Sequence, residues 1–179
     1  MIDRPDPQRS GTEALPLLQA TCVLVGAGAV LIRGRPGSGK SSLAAALLSG
    51  DGPRCPVRLV GDDAVLICPS GGRLVAFAPD RARGLIEMRG LGLVAAPCEP
   101  RAVVCLVVDL VEPGAVERLP DPADAAMVVS GVEIPRLALP AGDAASPDRV
   151  RAALSAIRSG RSVSLAEIGV IGAIERIRA

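Results

Sequence analysis

The run Gly34-Arg35-Pro36-Gly37-Ser38-Gly39-Lys40-Ser41 decides how this chain is read. It follows G-x-x-x-x-G-K-S, the pattern of the P-loop, a phosphate cradle. The glycines let the backbone bend so that successive N–H groups point inward at phosphate oxygens. The lysine reaches the β- and γ-phosphates, and the serine hydroxyl suits Mg²⁺. A helix that starts here turns its positive end to the anion. The chain has nineteen arginines and one lysine, and the lysine is Lys40. A flat guanidinium fork does not fit a nest built for a point charge. Gly34, Pro36, Gly37, Ser38, Gly39, Lys40, Ser41 and the adjoining Ser42 are therefore the candidate nucleotide-binding residues, with a nucleoside triphosphate as ligand and Mg²⁺ as its ion.

Context supports this reading. A P-loop follows a strand and opens a helix. Upstream, Ala29-Val30-Leu31-Ile32 is an apolar run of strand type. Downstream, the Ala/Leu-rich stretch from Ser41 to Ser49 stops at Gly50, a helix-ending glycine. Residues 14–32 carry no charge and are long enough to cross a bilayer. They contain Pro16, Gln19, Gly26 and Gly28, however, and read as two strands, Cys22 to Val25 and Ala29 to Ile32, around a Gly-Ala-Gly turn.

The global composition sets bounds. A chain of 179 residues, 49% of them apolar, is one domain with a real core. A net charge of +1 argues for neither a nucleic-acid nor an anionic-membrane partner. Phe77 is the one aromatic residue, so no platform exists for stacking single-stranded bases. Histidine is absent, which leaves acid–base work to carboxylates first and to a thiol second. The five cysteines, Cys22, Cys55, Cys68, Cys98 and Cys105, form no C-x-x-C and read as reduced thiols of a cytoplasmic protein. The N-terminus lacks the apolar core of a signal peptide.

Further strands are expected over residues 58–60, 64–68, 74–77, 85–88, 103–108 and 132–139. Residues 112–125, rich in Pro, Asp and Glu, read as an exposed connection. A helix covers Asp148 to Ile157, with Pro147 at its first position. A second follows Ser164, where Ser164 and Glu167 make a capping box. So few helices cannot serve a regular βαβ alternation, and the expected fold class is α/β with a mixed, curved sheet. Residues 1–13 read as a loose lead-in, 14–160 as the domain, and 161–179 as a helical segment packed on it.

Two further clusters carry chemistry. Asp62-Asp63 ends the apolar strand Arg58-Leu59-Val60-Gly61. Neighbours on an extended chain point opposite ways, so one carboxylate can take a proton while the other serves the metal. Gly-Asp-Asp is also ordinary turn chemistry. In Gly84-Leu85-Ile86-Glu87-Met88-Arg89-Gly90-Leu91-Gly92, Glu87 and Arg89 share a strand face. Glu87 can complete a Mg²⁺ site with Ser41 and an aspartate, and Arg89 can neutralise a phosphoryl group in transfer. An edge-strand ion pair is the plainer alternative. The strand Val103 to Asp109 has the form of a Walker B strand, which puts Asp109 forward as a rival Mg²⁺ ligand.

The sequence Leu18-Gln19-Ala20-Thr21-Cys22-Val23, the P-loop, Leu59-Val60-Gly61-Asp62-Asp63, and the run from Gly84 to Gly92 together resemble the C-terminal domain of bacterial HPr kinase/phosphorylase. The likeness is to short proteobacterial forms without the N-terminal domain, and it spans about residues 17–140. It implies a P-loop kinase domain of PEP carboxykinase-like type. It implies ATP-dependent phosphorylation of a seryl hydroxyl on HPr, the phosphocarrier of the sugar phosphotransferase system, and a reverse phosphorolysis. Asp62 becomes the base and Asp63 its polar or metal-site partner, which disfavours Asp109. Ser41, Asp63 and Glu87 become the Mg²⁺ set, Arg89 a catalytic residue, and a homo-oligomer, hexameric in the family, is expected. Two positions depart from the pattern, with Gln19 in place of the family's usual His and Ser42 in place of its usual acidic residue. Arg118 and Arg136 are the candidates for the phosphorolysis arginine. The alternatives are another P-loop small-molecule kinase or NTPase, and a nucleotide-binding regulator whose catalysis has decayed.

Overall fold

The structure, a computed structural model, describes residues 15–50, 55–118 and 121–159. The chain forms strands β1 (Leu17–Leu18), β2 (Thr21–Val25) and β3 (Gly28–Gly34), then helix α1 (Lys40–Ser49). Strands β4 (Val57–Gly61), β5 (Val65–Ser70), β6 (Arg73–Phe77), β7 (Leu85–Met88), β8 (Gly92–Ala95) and β9 (Ala102–Val111) follow. Strands β10 (Ala126–Val129) and β11 (Val132–Pro140) lead into helix α2 (Ser146–Arg158). The expected lead-in and the helix after Ser164 lie outside the described residues.

Nine strands make one mixed, curled sheet, and β7 and β8 make a separate hairpin. Strand β9 is its spine. On one edge it runs parallel to β3. On the other, its first residues pair with antiparallel β6 and its last five with parallel β11. One strand thus serves two partners in succession. The register between β3 and β9 slips between Ala29 and Val30, because Ala29 faces Val104 while Val30 faces Leu106. The extra residue, Cys105, is a bulge, and a bulge flips the faces that follow. Hence Val104 packs with Leu31 on one side of the sheet, whereas Leu106, Val108 and Leu110 pack with Ile32 on the other.

The sheet therefore has two apolar cores. The first lies under the helices, where Leu43, Ala44 and Leu47 of α1 and Val150, Ala153 and Leu154 of α2 meet Val30, Ile32 and Leu106. The second lies on the opposite face, among Cys22, Leu31, Val65, Ile67, Leu74 and Val107. The near-continuous apolar run of β9 reflects burial on both faces.

The expected strands are present, and α2 starts one residue earlier than expected, at Ser146, which makes Pro147 its second residue. Three short strands were not expected: β1, β8 and β10. Strand β10 joins β11 through a two-residue turn in which Ser130 (φ 49°) and Gly131 (φ 79°) both adopt positive φ, the geometry that matches strand twist. The five cysteines are unpaired, as expected. Cys22 alone is fully buried, and burial pushes its thiol up to about 12. Among the described residues no helix is long and apolar enough to cross a membrane, and residues 21–34 form the β2–β3 hairpin.

Candidate functional site

The P-loop joins β3 to α1, as its sequence requires. Gly34, Gly37 and Gly39 all have positive φ, at 152°, 79° and 95°. At Gly34 the loop passes so close to its neighbours that a Cβ would stand 2.6 Å from Ser38 Oγ and 2.9 Å from the Leu110 carbonyl oxygen. At Gly39, which caps α1, a Cβ would meet nothing within 4 Å. Lys40 is buried to 7% exposure and donates to the carbonyls of Gly34 and Arg35, each at 3.3 Å. The amine thus spans the mouth of its own loop. Pro36 and Ser42 are exposed, and the Ser38 hydroxyl is buried without a hydrogen-bond partner.

Asp62 stands against this loop. Its carboxylate is buried and accepts from Ser41 Oγ at 3.0 Å, Thr21 Oγ1 at 2.6 Å and the Glu87 backbone N–H at 2.9 Å. One side chain thus ties together α1, β2 and the β7–β8 hairpin. Adjacent Asp63 is exposed, in left-handed conformation with φ 58°, and the Ala64 N–H closes a tight turn on the Asp62 carbonyl. The pair sits in a turn rather than on extended chain. The two carboxylates still part company, one inward and one to the rim.

The hairpin brings the third cluster to the same place. Its turn runs from Met88 to Leu91, with Gly90 and Gly92 at φ 86° and 80°. A Cβ on either glycine would have open space, so both serve conformation rather than close approach. Arg89 lies in this turn and not on the strand, so it does not share a strand face with Glu87. Its Nη2 comes within 3.7 Å of where a Gly37 Cβ would stand. Arg89 therefore reaches the phosphate loop. The Glu87 side chain is exposed, and its backbone, not its carboxylate, contacts Asp62.

Asp109 is engaged elsewhere. Arg33 grips it bidentately, with Nε and Nη2 each at 2.8 Å, and Arg136 Nε adds a third bond at 2.6 Å. Burial raises its carboxyl pKa, but the hydrogen bonds and charges of the two arginines outweigh burial and hold it below the ordinary range. The Walker B-like aspartate thus clamps β3, β9 and β11 together, and Arg136 is committed to that clamp. Arg118 makes no described ion pair and lies at the end of the 112–118 connection. Gln19 is exposed.

Thr21 is a residue of the site that sequence reasoning passed over, although it stands inside the quoted run from Leu18 to Val23. A polar residue opening a buried strand was its only local signal. Among the described residues no group of three or more His, Cys, Asp and Glu side chains is placed to hold a metal. A Mg²⁺ that rides on a triphosphate does not require one, since phosphate oxygens and water fill most of its shell.

The sequence matches the HPr Serine kinase C-terminal domain family over residues 17–158. The chain belongs to that family. It is also similar to the HPr(Ser) kinase/phosphatase from Coxiella burnetii, at 23% identity and a TM-score of 0.66, over 80% of this chain and 96% of that one. That likeness establishes the shared fold, a P-loop α/β domain with a curled mixed sheet. No curated protein sequence matches this chain. Family membership makes the chain a kinase-like enzyme.

Proposed function

We propose that this chain is an ATP-dependent protein kinase that phosphorylates a seryl hydroxyl of HPr or an HPr-like phosphocarrier. The observation that carries the proposal is the Asp62 carboxylate hydrogen-bonded to Ser41 at the foot of the P-loop, in a chain of this family. Lys40 and the loop amides bind the β- and γ-phosphates. In this reading Lys40 exchanges its two loop carbonyls for phosphate oxygens, which bind an ammonium far more strongly. Arg89, held beside Gly37, offsets charge on the group in transfer.

Asp62 acts as the base. A carboxylate offers about four acceptor sites, and three are occupied: two on Oδ1, by Thr21 and Ser41, and one on Oδ2, by the Glu87 N–H. The remaining site, on Oδ2, takes the proton of the incoming seryl hydroxyl. The seryl oxygen bonds to the γ-phosphorus, the bond from that phosphorus to the β–γ bridging oxygen breaks, and ADP leaves. The residues fit a Mg²⁺·triphosphate, because the Ser41 hydroxyl and the Asp62 and Asp63 carboxylates stand beside a P-loop that is open at Gly39. Ser41 would hold the ion, with the rim carboxylates of Asp63 and Glu87 completing its shell. Bound there, Mg²⁺ neutralises phosphate charge.

The test is incubation with Mg²⁺, radiolabelled ATP and purified HPr. Phosphoserine on HPr supports the proposal. Free phosphate without labelled HPr points to a different P-loop NTPase. ATP binding with neither product points to a regulator with decayed catalysis, for which the Gln19 and Ser42 departures are the motive. We also infer a cytoplasmic homo-oligomer, hexameric by analogy with the family, which light scattering would size. Phosphorolysis, if present, appears as pyrophosphate formed from inorganic phosphate and phosphorylated HPr.

A further inference from the structure

Strand β2 meets β4 in two registers. Val23 faces Leu59 whereas Cys22 faces Gly61, so Val60 of β4 is an extra residue, a bulge. A bulge re-aims the side chains beyond it. Continued by one step, the register of Cys22 sets Thr21 opposite Asp62. In the register of Val23, Thr21 would stand opposite Gly61 instead. The bulge thus delivers the threonine hydroxyl to the aspartate.

Thr21 is fully buried, and its hydroxyl donates to Asp62 Oδ1 at 2.6 Å. That length lies within the ~2.5–2.7 Å of a hydroxyl on an ionised carboxylate. The Glu87 N–H, at 2.9 Å, and Ser41 Oγ, at 3.0 Å, stand farther off. The three donors are also mounted differently. Ser41 belongs to the phosphate-binding helix and has a second duty toward the ion. Glu87 rides on the separate β7–β8 hairpin. Thr21 sits on β2, which has β3 on one side and β4 on the other. It is the donor built into the main sheet.

A carboxylate turns about its Cβ–Cγ bond in a broad well, so hydrogen bonds decide which oxygen keeps an open acceptor site. Thr21 and Ser41 fill Oδ1, and the Glu87 N–H takes one site on Oδ2. Without Thr21, each oxygen would carry one donor and one open site, and nothing would select between them.

We propose that Thr21 is a positioning residue for phosphoryl transfer, whose hydroxyl fixes the Asp62 carboxylate so that its open acceptor site stays on Oδ2. The inference deepens the kinase reading above and rests on it. Thr21 acts through Asp62 and touches neither phosphate nor carrier.

The test compares wild type with Thr21→Val and Thr21→Ser, using Mg²⁺, radiolabelled ATP and purified HPr, with rates counted per ATP-binding site titrated by calorimetry. Valine keeps the branched shape and suits a strand, so Thr21→Val is expected to retain a cooperative urea transition. Its kcat should fall about ten- to a hundredfold, the scale of a misplaced reacting group, while KM for HPr and affinity for ATP stay within about twofold. Thr21→Ser, which restores the hydroxyl, should recover kcat to within about threefold of wild type. In an Asp62→Ala background, Thr21→Val should lower the residual rate no further, because the group it positions is gone. An unchanged kcat in Thr21→Val would overturn the inference and leave the kinase reading standing. So would an equal fall of kcat in the Asp62→Ala background, or a Thr21→Ser variant as slow as Thr21→Val. If wild type binds ATP and transfers nothing to HPr, the kinase reading falls and this inference with it.

Discussion

At the scale of single residues, burial and partners separate two aspartates that the sequence presents as rivals. Asp62 touches the P-loop serine. Asp109 touches two arginines, which lie 76 and 27 positions away in sequence. Asp62→Asn should therefore lower phosphoryl transfer by about 10²–10⁴-fold, the usual share of a general base, with ATP affinity nearly unchanged in calorimetry. Asp109→Asn should behave in the opposite sense, sparing transfer and losing stability. Arg33 and Arg136 are each about a third exposed, at 32% and 28%. The expected cost is therefore about 1–3 kcal/mol rather than the ~3–5 of a fully buried pair. Transfer lost at Asp109→Asn and retained at Asp62→Asn would reverse the assignment. The same clamp predicts a pH dependence. Folding lowers the Asp109 pKa, so the unfolded chain takes up its proton first as the pH falls. Its contribution is complete above the ordinary 3.8 and disappears as pH drops through the folded value. The gap in urea midpoint between wild type and Asp109→Asn should accordingly be full at neutrality and close below about pH 4.

At the scale of elements, the P-loop glycines divide their duties. A Cβ on Gly34 collides with a backbone carbonyl, that of Leu110 on β9, which has no flexible end to move. Gly34→Ala should cost about 1–3 kcal/mol of stability in urea unfolding. A Cβ on Gly39 enters open space, so Gly39→Ala should stay folded, with a strain of about 1 kcal/mol, and lose ATP binding instead. Equal stability losses in the two variants would contradict this division. Strands that carry long apolar runs were legible in the sequence, because β3 and β9 are buried on both faces. The short edge elements were not. Strand β10 sits beside the Pro- and Asp-rich 112–125 connection, whose polarity hid it, although the Ser130-Gly131 turn between apolar runs was a readable hairpin signal. Strand β8 has three exposed residues of its four, Gly92, Leu93 and Ala95, so it carries no burial pattern. Its existence rests on pairing with β7.

At the scale of the whole molecule, the two cores share the sheet, and their integrity can be read from one thiol. Cys22 is completely buried, and its pKa of about 12 keeps it protonated and unreactive. In the folded protein, alkylation at pH 8 should label Cys55, Cys68, Cys98 and Cys105 ahead of Cys22, with Cys22 following only on global unfolding. Early labelling of Cys22 would show that β2 opens locally.

The sequence by itself determined the phosphate loop, the strand before it and the helix after it, because these depend on contiguous residues: glycines that permit positive φ, a compact cation at position 40, and an unbroken apolar run. It also determined the α/β class, through the imbalance of many strands and few helices. Only the tertiary structure decided where each acid lies and what it touches. The turn after β4 puts Asp62 inside and Asp63 outside, and the β7–β8 hairpin carries Arg89 to Gly37. The alignment of three parallel strands puts Arg33 and Arg136 on Asp109. Such choices depend on which charges become neighbours once distant segments pair, and electrostatics acts across space, where sequence order has no say.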